Sequence, residues 1–264
     1  MGGFNRLLAA VPPEERQRFE PQLERVTLPK GKVLYDHGDV VRYAYFPVSG
    51  TMSMVAAAET GAVLQIAMIC NEGFVGLPVL LRAPAPAQVT VRLPGEAYRI
   101  HADALLHEFR RGATLQDVLL QYVHRLLTEV AQAAVCYRYH SRRQRICRWL
   151  LTAQDCARTD TLELTQEFIA EMLAIPRSAV SETAVALQER GLIRQRHGRI
   201  HILKRHDLQV MACECYVALR HDRDADAALN PQNAQGPRSV PSSAVSDRRS
   251  PAALVSDGRS FDRR

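Results

Sequence analysis

The feature that most limits the fold is the order of elements between residues 164 and 202. A short helix is predicted over residues 166–173, because Thr165 can accept a hydrogen bond from the backbone of its first turn. A proline-containing break follows, and a second helix is predicted over residues 177–190. Two short strands around His197-Gly198 then form a hairpin, and a last helix is predicted near residues 207–220. The two helices are expected to pack on each other through apolar residues: Phe168, Ile169, Met172, Leu173 and Ile175 against Val180, Ala184 and Leu187.

This helix-break-helix-hairpin order is typical of a winged helix-turn-helix domain. In such a domain the second helix enters the DNA major groove, and the hairpin, called the wing, reaches phosphates or the minor groove. Arg177 can donate a bidentate pair to guanine, and Glu182 can accept from cytosine or hold an arginine in place. The predicted base-contacting residues are Arg177, Ser178, Ser181 and Glu182. The predicted contacts to the DNA backbone are Thr165, Gln166, Arg196, His197 and Arg199.

The charge distribution singles out the same region. The chain of 264 residues has a formal net charge of +6. Residues 1–135 carry 13 basic and 13 acidic side chains, residues 136–221 carry 14 and 9, and residues 222–264 carry 7 and 6. A helix pair alone could be a structural hairpin, and a basic excess alone could be a solvated surface. The helix pair, the basic wing and the local excess together favour a module that binds a polyanion.

The N-terminal half follows a different pattern. A short helix and a second turn are predicted over residues 5–24. From Val26 to Ile100, short runs rich in Val, Ile, Tyr and Met alternate with turns that contain Gly, Pro, Asn or Asp. Turns at intervals of about 8–12 residues indicate an all-β sandwich or barrel.

A long helix is predicted between these two parts, from Leu115 to Tyr139. One stripe of its apolar residues has heptad spacing and predicts a seam with a second copy of the chain: Leu120, Val123, Leu127, Val130, Ala134 and Tyr137. A neighbouring stripe can pack on the β domain and consists of Leu119, Tyr122, Leu126 and Ala133. The helix is therefore expected to join two copies.

Composition excludes several classes of protein. No window approaches the roughly 20 apolar residues of a membrane span, and the N-terminus lacks the apolar core of a secretory signal. We therefore expect a cytoplasmic protein that does not associate with a membrane, with all six cysteines as reduced thiols. Residues 222–264 are rich in Pro, Ser, Asp, Arg and Ala and are predicted to be disordered.

A β domain, a long helix and a winged helix-turn-helix in this order resemble the Crp/Fnr family of bacterial transcription regulators. The resemblance covers about residues 5–220. GFVGLPVLL at 73–81 is similar to the glycine motif of the family's β-roll, and residues 164–193 are similar to its DNA-reading motif. The resemblance implies an α+β fold with an N-terminal double-stranded β-helix (a β-roll or jelly roll), a long dimerisation helix and a C-terminal winged helix-turn-helix. It also implies a homodimer on an inverted repeat of double-stranded DNA and, for an activator, contact with RNA polymerase. The expected divisions are residues 1–112 (sensor), 113–140 (helix and hinge), 141–221 (DNA-binding) and 222–264 (tail).

The sensor half departs from the cyclic-nucleotide-binding pattern of that family. Binders have a Glu after the motif glycine and an Arg-Ser pair for the cyclic phosphate, whereas this chain has Leu77 and Ala87-Gln88. Val130 and Ala131 stand where cAMP-responsive members place hydroxyls. No Cys precedes Cys70, which disfavours the iron–sulfur centre of the oxygen-sensing branch. No cofactor is predicted, and the effector is left open.

Other chemistry is disfavoured. Cys213 and Cys215, with His201, His206 and His221 nearby, could hold a metal, but no second ligand pair lies at standard spacing, so no metal is predicted. Haem ligation by His37, His101, His107 or His124, and acid/base catalysis by Asp36, Glu72 or Glu96, lack any supporting motif, so no enzyme is predicted. The arginine run at 138–148 could contact phosphates or be solvated.

Two other functions are compatible with parts of the pattern. A cyclic-nucleotide or small-ligand sensory module without DNA function would bind its ligand and show no steep, salt-dependent affinity for DNA. An assembly scaffold would dimerise and bind neither. The missing Glu and Arg-Ser argue against the sensory module.

Overall fold

The protein is described by a computed structural model that covers residues 4–220. The predicted disordered tail at 222–264 and His221 lie outside the described residues. Within residues 4–220, no helix combines the length and the hydropathy that a membrane crossing requires.

The chain begins with short helical segments that pack on the β domain. The buried side chain of Asn5 accepts from the backbone N–H groups of Leu7 and Leu8, and its amide donates to the backbone carbonyls of three residues in the β domain, 2.9 Å away in each case. The single predicted helix with a following turn is divided into three segments: α1 (Arg6–Ala10), α2 (Pro13–Arg16) and a 3-10 turn (Glu20–Gln22).

Seven strands form the N-terminal domain, as the spacing of its turns predicts. They make two antiparallel sheets, a three-stranded one in the order β1-β7-β3 and a four-stranded one in the order β2-β6-β4-β5. Leu28 and Phe46 of the first sheet share one core with Met52 and Val89 of the second. The strands are β1 (Glu24–Leu28), β2 (Val33–Tyr35), β3 (Tyr43–Pro47), β4 (Thr51–Ala57), β5 (Val63–Ile69), β6 (Gln88–Leu93) and β7 (Gly95–His101), with helix α3 (Leu77–Leu81) between β5 and β6.

The long predicted helix is present and leaves one side uncovered. After α4 (Ala102–Arg110), α5 runs from Thr114 to Tyr139. Leu119, Tyr122 and Leu126 of α5 are buried in the core of the β domain. Leu120 and Leu127, on the other stripe, are 50% and 62% exposed. The helix therefore covers the β domain with one side and presents an apolar seam on the other.

The C-terminal part has its own core. Helix α6 (Arg142–Ala157) begins with a capping box, in which the Ser141 side chain and the Gln144 side chain each bond the other's backbone N–H. The remaining elements are β8 (Thr161–Leu162), α7 (Gln166–Leu173), α8 (Arg177–Glu189), β9 (Ile193–Arg196), β10 (Arg199–Ile202) and α9 (Arg205–Met211), and the strands pair in the order β8-β10-β9. The prediction of one helix near residues 207–220 was wrong. The chain turns extended at Ala212 and becomes helical again at 215–220.

The two parts of the chain pack on each other through β5. Trp149 donates its indole N–H to the Gln65 side chain, 3.2 Å away, and Tyr137 donates to the Gln65 carbonyl, 2.6 Å away. Cys70, just after β5, forms a disulfide with Cys156 of α6. The prediction that all six cysteines are reduced was therefore wrong for this pair. The fold brings their Cα atoms to 5.5 Å, an ordinary disulfide separation, across 86 positions of sequence that no local pattern connects.

Candidate DNA-binding surface

Helix α7 and the turn after it are built as the sequence predicts. The Thr165 hydroxyl accepts from the backbone N–H of Phe168 at 3.1 Å and caps the helix. Ala174 has φ 48°, the left-handed conformation that ends a helix, and Pro176 precedes α8 as its N-cap. The turn is closed by apolar packing, since the two helices share a core formed by Ile169, Met172, Leu173, Ile175, Val180, Ala184 and Leu187.

Helix α8 separates a buried side from a polar one. Ala179, Thr183 and Leu187 are buried. The structure places all four predicted base-contacting residues on the other side, with Arg177, Ser178 and Glu182 exposed and Ser181 half-buried. Arg177 is the first residue of the helix, so these side chains lie at the end that enters a groove first in helix-turn-helix domains. Their contact with bases stays a prediction.

The wing is a tight hairpin of strands β9 and β10. His197 and Gly198 both have positive φ, 46° and 74°, as a two-residue type I′ turn requires. An open groove along it is lined by Arg194, Arg196, His197, Arg199 and His201. Arg199 pairs with Glu163 at 2.9 Å, and both side chains are mostly exposed. This exposed pair contributes little to stability, so a phosphate can replace the carboxylate at small cost.

The predicted backbone contacts lie around the start of α7 and the tip of the wing. A Cβ atom built on Gly198 would lie 3.8 Å from the Thr165 methyl group, so the wing tip sits beside the α7 N-terminus. The Gln166 amide donates to the Gln195 side chain of β9 at 3.0 Å. One of its two N–H groups is therefore used within the protein, and only the other can reach a phosphate.

The arginines at the hinge have a role that sequence reasoning missed. Arg145 and Arg148 are 9% and 8% exposed, so neither a solvated surface nor a phosphate contact describes them. Arg145 donates to the Leu173 carbonyl at the end of α7, 2.5 Å away, and its guanidinium lies 4.4 Å from the centre of the Tyr137 ring. Burial lowers the pKa of Arg145. Arg145 lies four positions before Trp149 and therefore on the same side of α6. This spacing is the sequence signal that could have indicated its burial.

Tyr137 stands apart from the rest of the predicted seam. It is held inside its own chain by Gln65 and Arg145, because α5 ends where the C-terminal part packs on β5. Its place in the dimer seam stays a prediction, since Tyr137 is partly exposed, as Val123 and Val130 are. The other seam residues remain at least partly exposed: Leu120, Val123, Leu127, Val130 and Ala134.

The three residues that depart from the cyclic-nucleotide-binding pattern are Leu77, Ala87 and Gln88, and all of them pack or bond within the chain. Leu77 begins α3 and packs partly against the core of the β domain. Ala87 is 3% exposed, and the Gln88 amide donates to the Asp36 carboxylate at 3.3 Å. None of these three side chains supplies the cation that an anionic phosphate needs.

These elements define a DNA-binding regulator with an attached β domain, and the comparisons with known proteins identify the family. Residues 144–211 match the model of the Crp-like helix-turn-helix domain, and residues 25–111 match that of the cyclic nucleotide-binding domain. The two matches together cover more than half of the 264 residues, and the chain belongs to the Crp/Fnr family of transcription regulators.

Solved structures show the same fold at low sequence identity. A Crp/Fnr transcriptional regulator from Eubacterium rectale is 15% identical with a TM-score of 0.63, and 78% of this chain and 96% of that one are covered. FixK2 from Bradyrhizobium japonicum is 14% identical with a TM-score of 0.63, covering 72% and 98%. A transcriptional regulator of the same family from Thermus thermophilus, TTHA1359, is 20% identical with a TM-score of 0.61, covering 72% and 98%. No curated protein matches the chain.

Proposed function

We propose that the chain works as a homodimer that recognises an inverted repeat in double-stranded DNA. The observation that carries the proposal is the exposed polar N-terminus of α8, with Arg177 and Glu182, next to a cationic wing. Major-groove reading by the helix supplies sequence preference, and phosphate contacts from the wing supply affinity that falls with salt. The four base contacts and five backbone contacts predicted above are part of this proposal.

The dimer follows from the uncovered stripe of α5. An apolar helix side that is left in water favours burial against a second copy, and heptad spacing allows two such helices to pack along their length. A two-fold dimer places its two recognition helices about 34 Å apart in successive major grooves. The DNA site is therefore expected to be a palindrome.

The divisions at residues 1–112, 113–140 and 141–221 also belong to the proposal, as does a cytoplasmic location, where the DNA of a bacterium lies. An activator of this design would in addition contact RNA polymerase. A purely sensory module is disfavoured, because such a module has no use for a cationic wing.

Selection from random duplexes tests the proposal. Rounds of binding to the full-length protein should enrich one inverted repeat, and the affinity for it should fall steeply between low and moderate salt. Enrichment of no sequence, or of an asymmetric one, would contradict the proposal.

We also propose that cyclic AMP is not the effector. A cyclic phosphate buried beside Leu77, Ala87 and Gln88 would lose its hydration without gaining a cation. Titration calorimetry of the full-length protein should show no heat of binding above dilution. Saturable binding of one cAMP per chain would overturn this part of the proposal.

A further inference from the structure

Four side chains with metal-binding chemistry meet where the long helix ends. Cys136 and His140 lie one helical turn apart at the end of α5, and Cys213 and Cys215 follow α9. Their ligand atoms all lie within 4.8 Å of one another. The two pairs are more than 70 positions apart in sequence, which is why sequence reasoning found no second pair.

Two of the distances between these atoms are close to the edges of a tetrahedron around a zinc ion. The Cys136 and Cys213 Sγ atoms are 3.6 Å apart, and Cys215 Sγ lies 3.4 Å from His140 Nδ1. Bonds of about 2.3 Å to sulfur and about 2.0 Å to nitrogen give tetrahedral edges of about 3.8 Å and about 3.5 Å. The thiols of Cys213 and Cys215 converge because Ala212 is extended and Cys213 precedes the helical turn at 215–220.

The surroundings are those of a closed site. Cys136, Cys213 and Cys215 are 0%, 3% and 0% exposed and form a small cluster of their own. The side chain of His140 is 11% exposed. No position is left open for a substrate, which is typical of structural rather than catalytic zinc.

Two further groups orient the ligands. His140 Nε2 lies 2.9 Å from the Glu214 carboxylate, so that the histidine can donate there while its Nδ1 faces the cluster. The Gln132 amide donates to Cys215 Sγ at 3.0 Å. A carboxylate behind a histidine and an amide donor on a sulfur are common supports of metal ligands.

We propose that Cys136, His140, Cys213 and Cys215 bind one structural zinc ion per chain. The alternative, a disulfide between Cys136 and Cys213, does not fit a separation of 3.6 Å, since bonded sulfurs are about 2.05 Å apart. The ion would join the end of the dimerisation helix to the last described segment of the DNA-binding part. It would therefore fix the orientation of that part relative to the dimer axis.

Metal analysis of the full-length protein, expressed with zinc in the medium and purified without chelator, tests the proposal. The wild type should contain one zinc ion per chain. Cys136→Ser and Cys215→Ser should each lose it. Cys147→Ala is the matched control and should keep it, because Cys147 is also buried and free but lies on α6, away from the cluster.

Cobalt titration keeps the test decisive if the serine variants do not fold. Wild-type protein stripped of metal should bind one Co²⁺ per chain with the visible absorption of a tetrahedral thiolate site, and His140→Cys should retain tetrahedral binding. Wild type that contains no zinc and shows no such absorption would overturn the proposal. So would iron with sulfide at the site, or a Cys136–Cys213 disulfide found by mass spectrometry.

Discussion

Replacing Leu120 and Leu127 together with glutamate is expected to convert the dimer into a monomer. The two side chains are 50% and 62% exposed in one chain, so the change leaves the core of the chain intact. Burying a fully exposed leucine contributes about 1.5–3 kcal/mol, and these side chains are only about half exposed, so the four leucines of a dimer contribute about 3–7 kcal/mol. The introduced carboxylates would also repel each other across the seam.

Light scattering after gel filtration measures the mass, and fluorescence anisotropy measures the affinity for the selected inverted repeat. The double variant should elute as a monomer of unchanged secondary structure and bind the repeat no more tightly than a single half-site. Val40→Glu is the control, since Val40 is 82% exposed and lies in a loop of the β domain. A double variant that stays dimeric would show that the seam lies elsewhere.

Substitution of Arg177 by alanine is expected to weaken sequence preference strongly while leaving general DNA affinity nearly unchanged. Arg177 is exposed at the first position of α8, and a bidentate pair with guanine is worth about 1–3 kcal/mol of discrimination. The two half-sites together then lose about 2–6 kcal/mol, which is a loss of at least about 30-fold in specific affinity.

Competition between the selected repeat and a scrambled duplex measures this loss. Arg196→Ala, on the wing, should behave differently, weakening binding to both duplexes alike and reducing its salt dependence, as expected for a phosphate contact. Arg110→Ala, at an exposed position of α4 in the β domain, should change neither value. If Arg177→Ala keeps the wild-type preference for the repeat, α8 does not read bases through this residue.

The sequence predicted the elements that depend on local patterns. Helix α7 has the predicted bounds and α8 ends one residue early, because a threonine cap, a proline and a glycine are local signals for a helix start or end. The two stripes of α5 were also separable from spacing alone, since burial of Leu119 and exposure of Leu120 follow from the helical period.

Features that join distant parts of the chain could not be predicted in this way. The disulfide between Cys70 and Cys156, the burial of Arg145 and the inward turn of Tyr137 all result from the packing of the C-terminal part on β5. A single sequence has no periodic signal for such a contact. The break after α9 was missed for a similar reason, because no glycine or proline marks it.

The most direct test of a two-fold DNA reader compares two duplexes that carry the same selected half-sites. One has the selected spacing, and the other has about five extra base pairs between the half-sites, which turns them to opposite sides of the duplex. The wild-type protein should bind the first tightly and the second no better than a single half-site. Equal affinity for both duplexes would contradict recognition by a rigid, symmetric dimer.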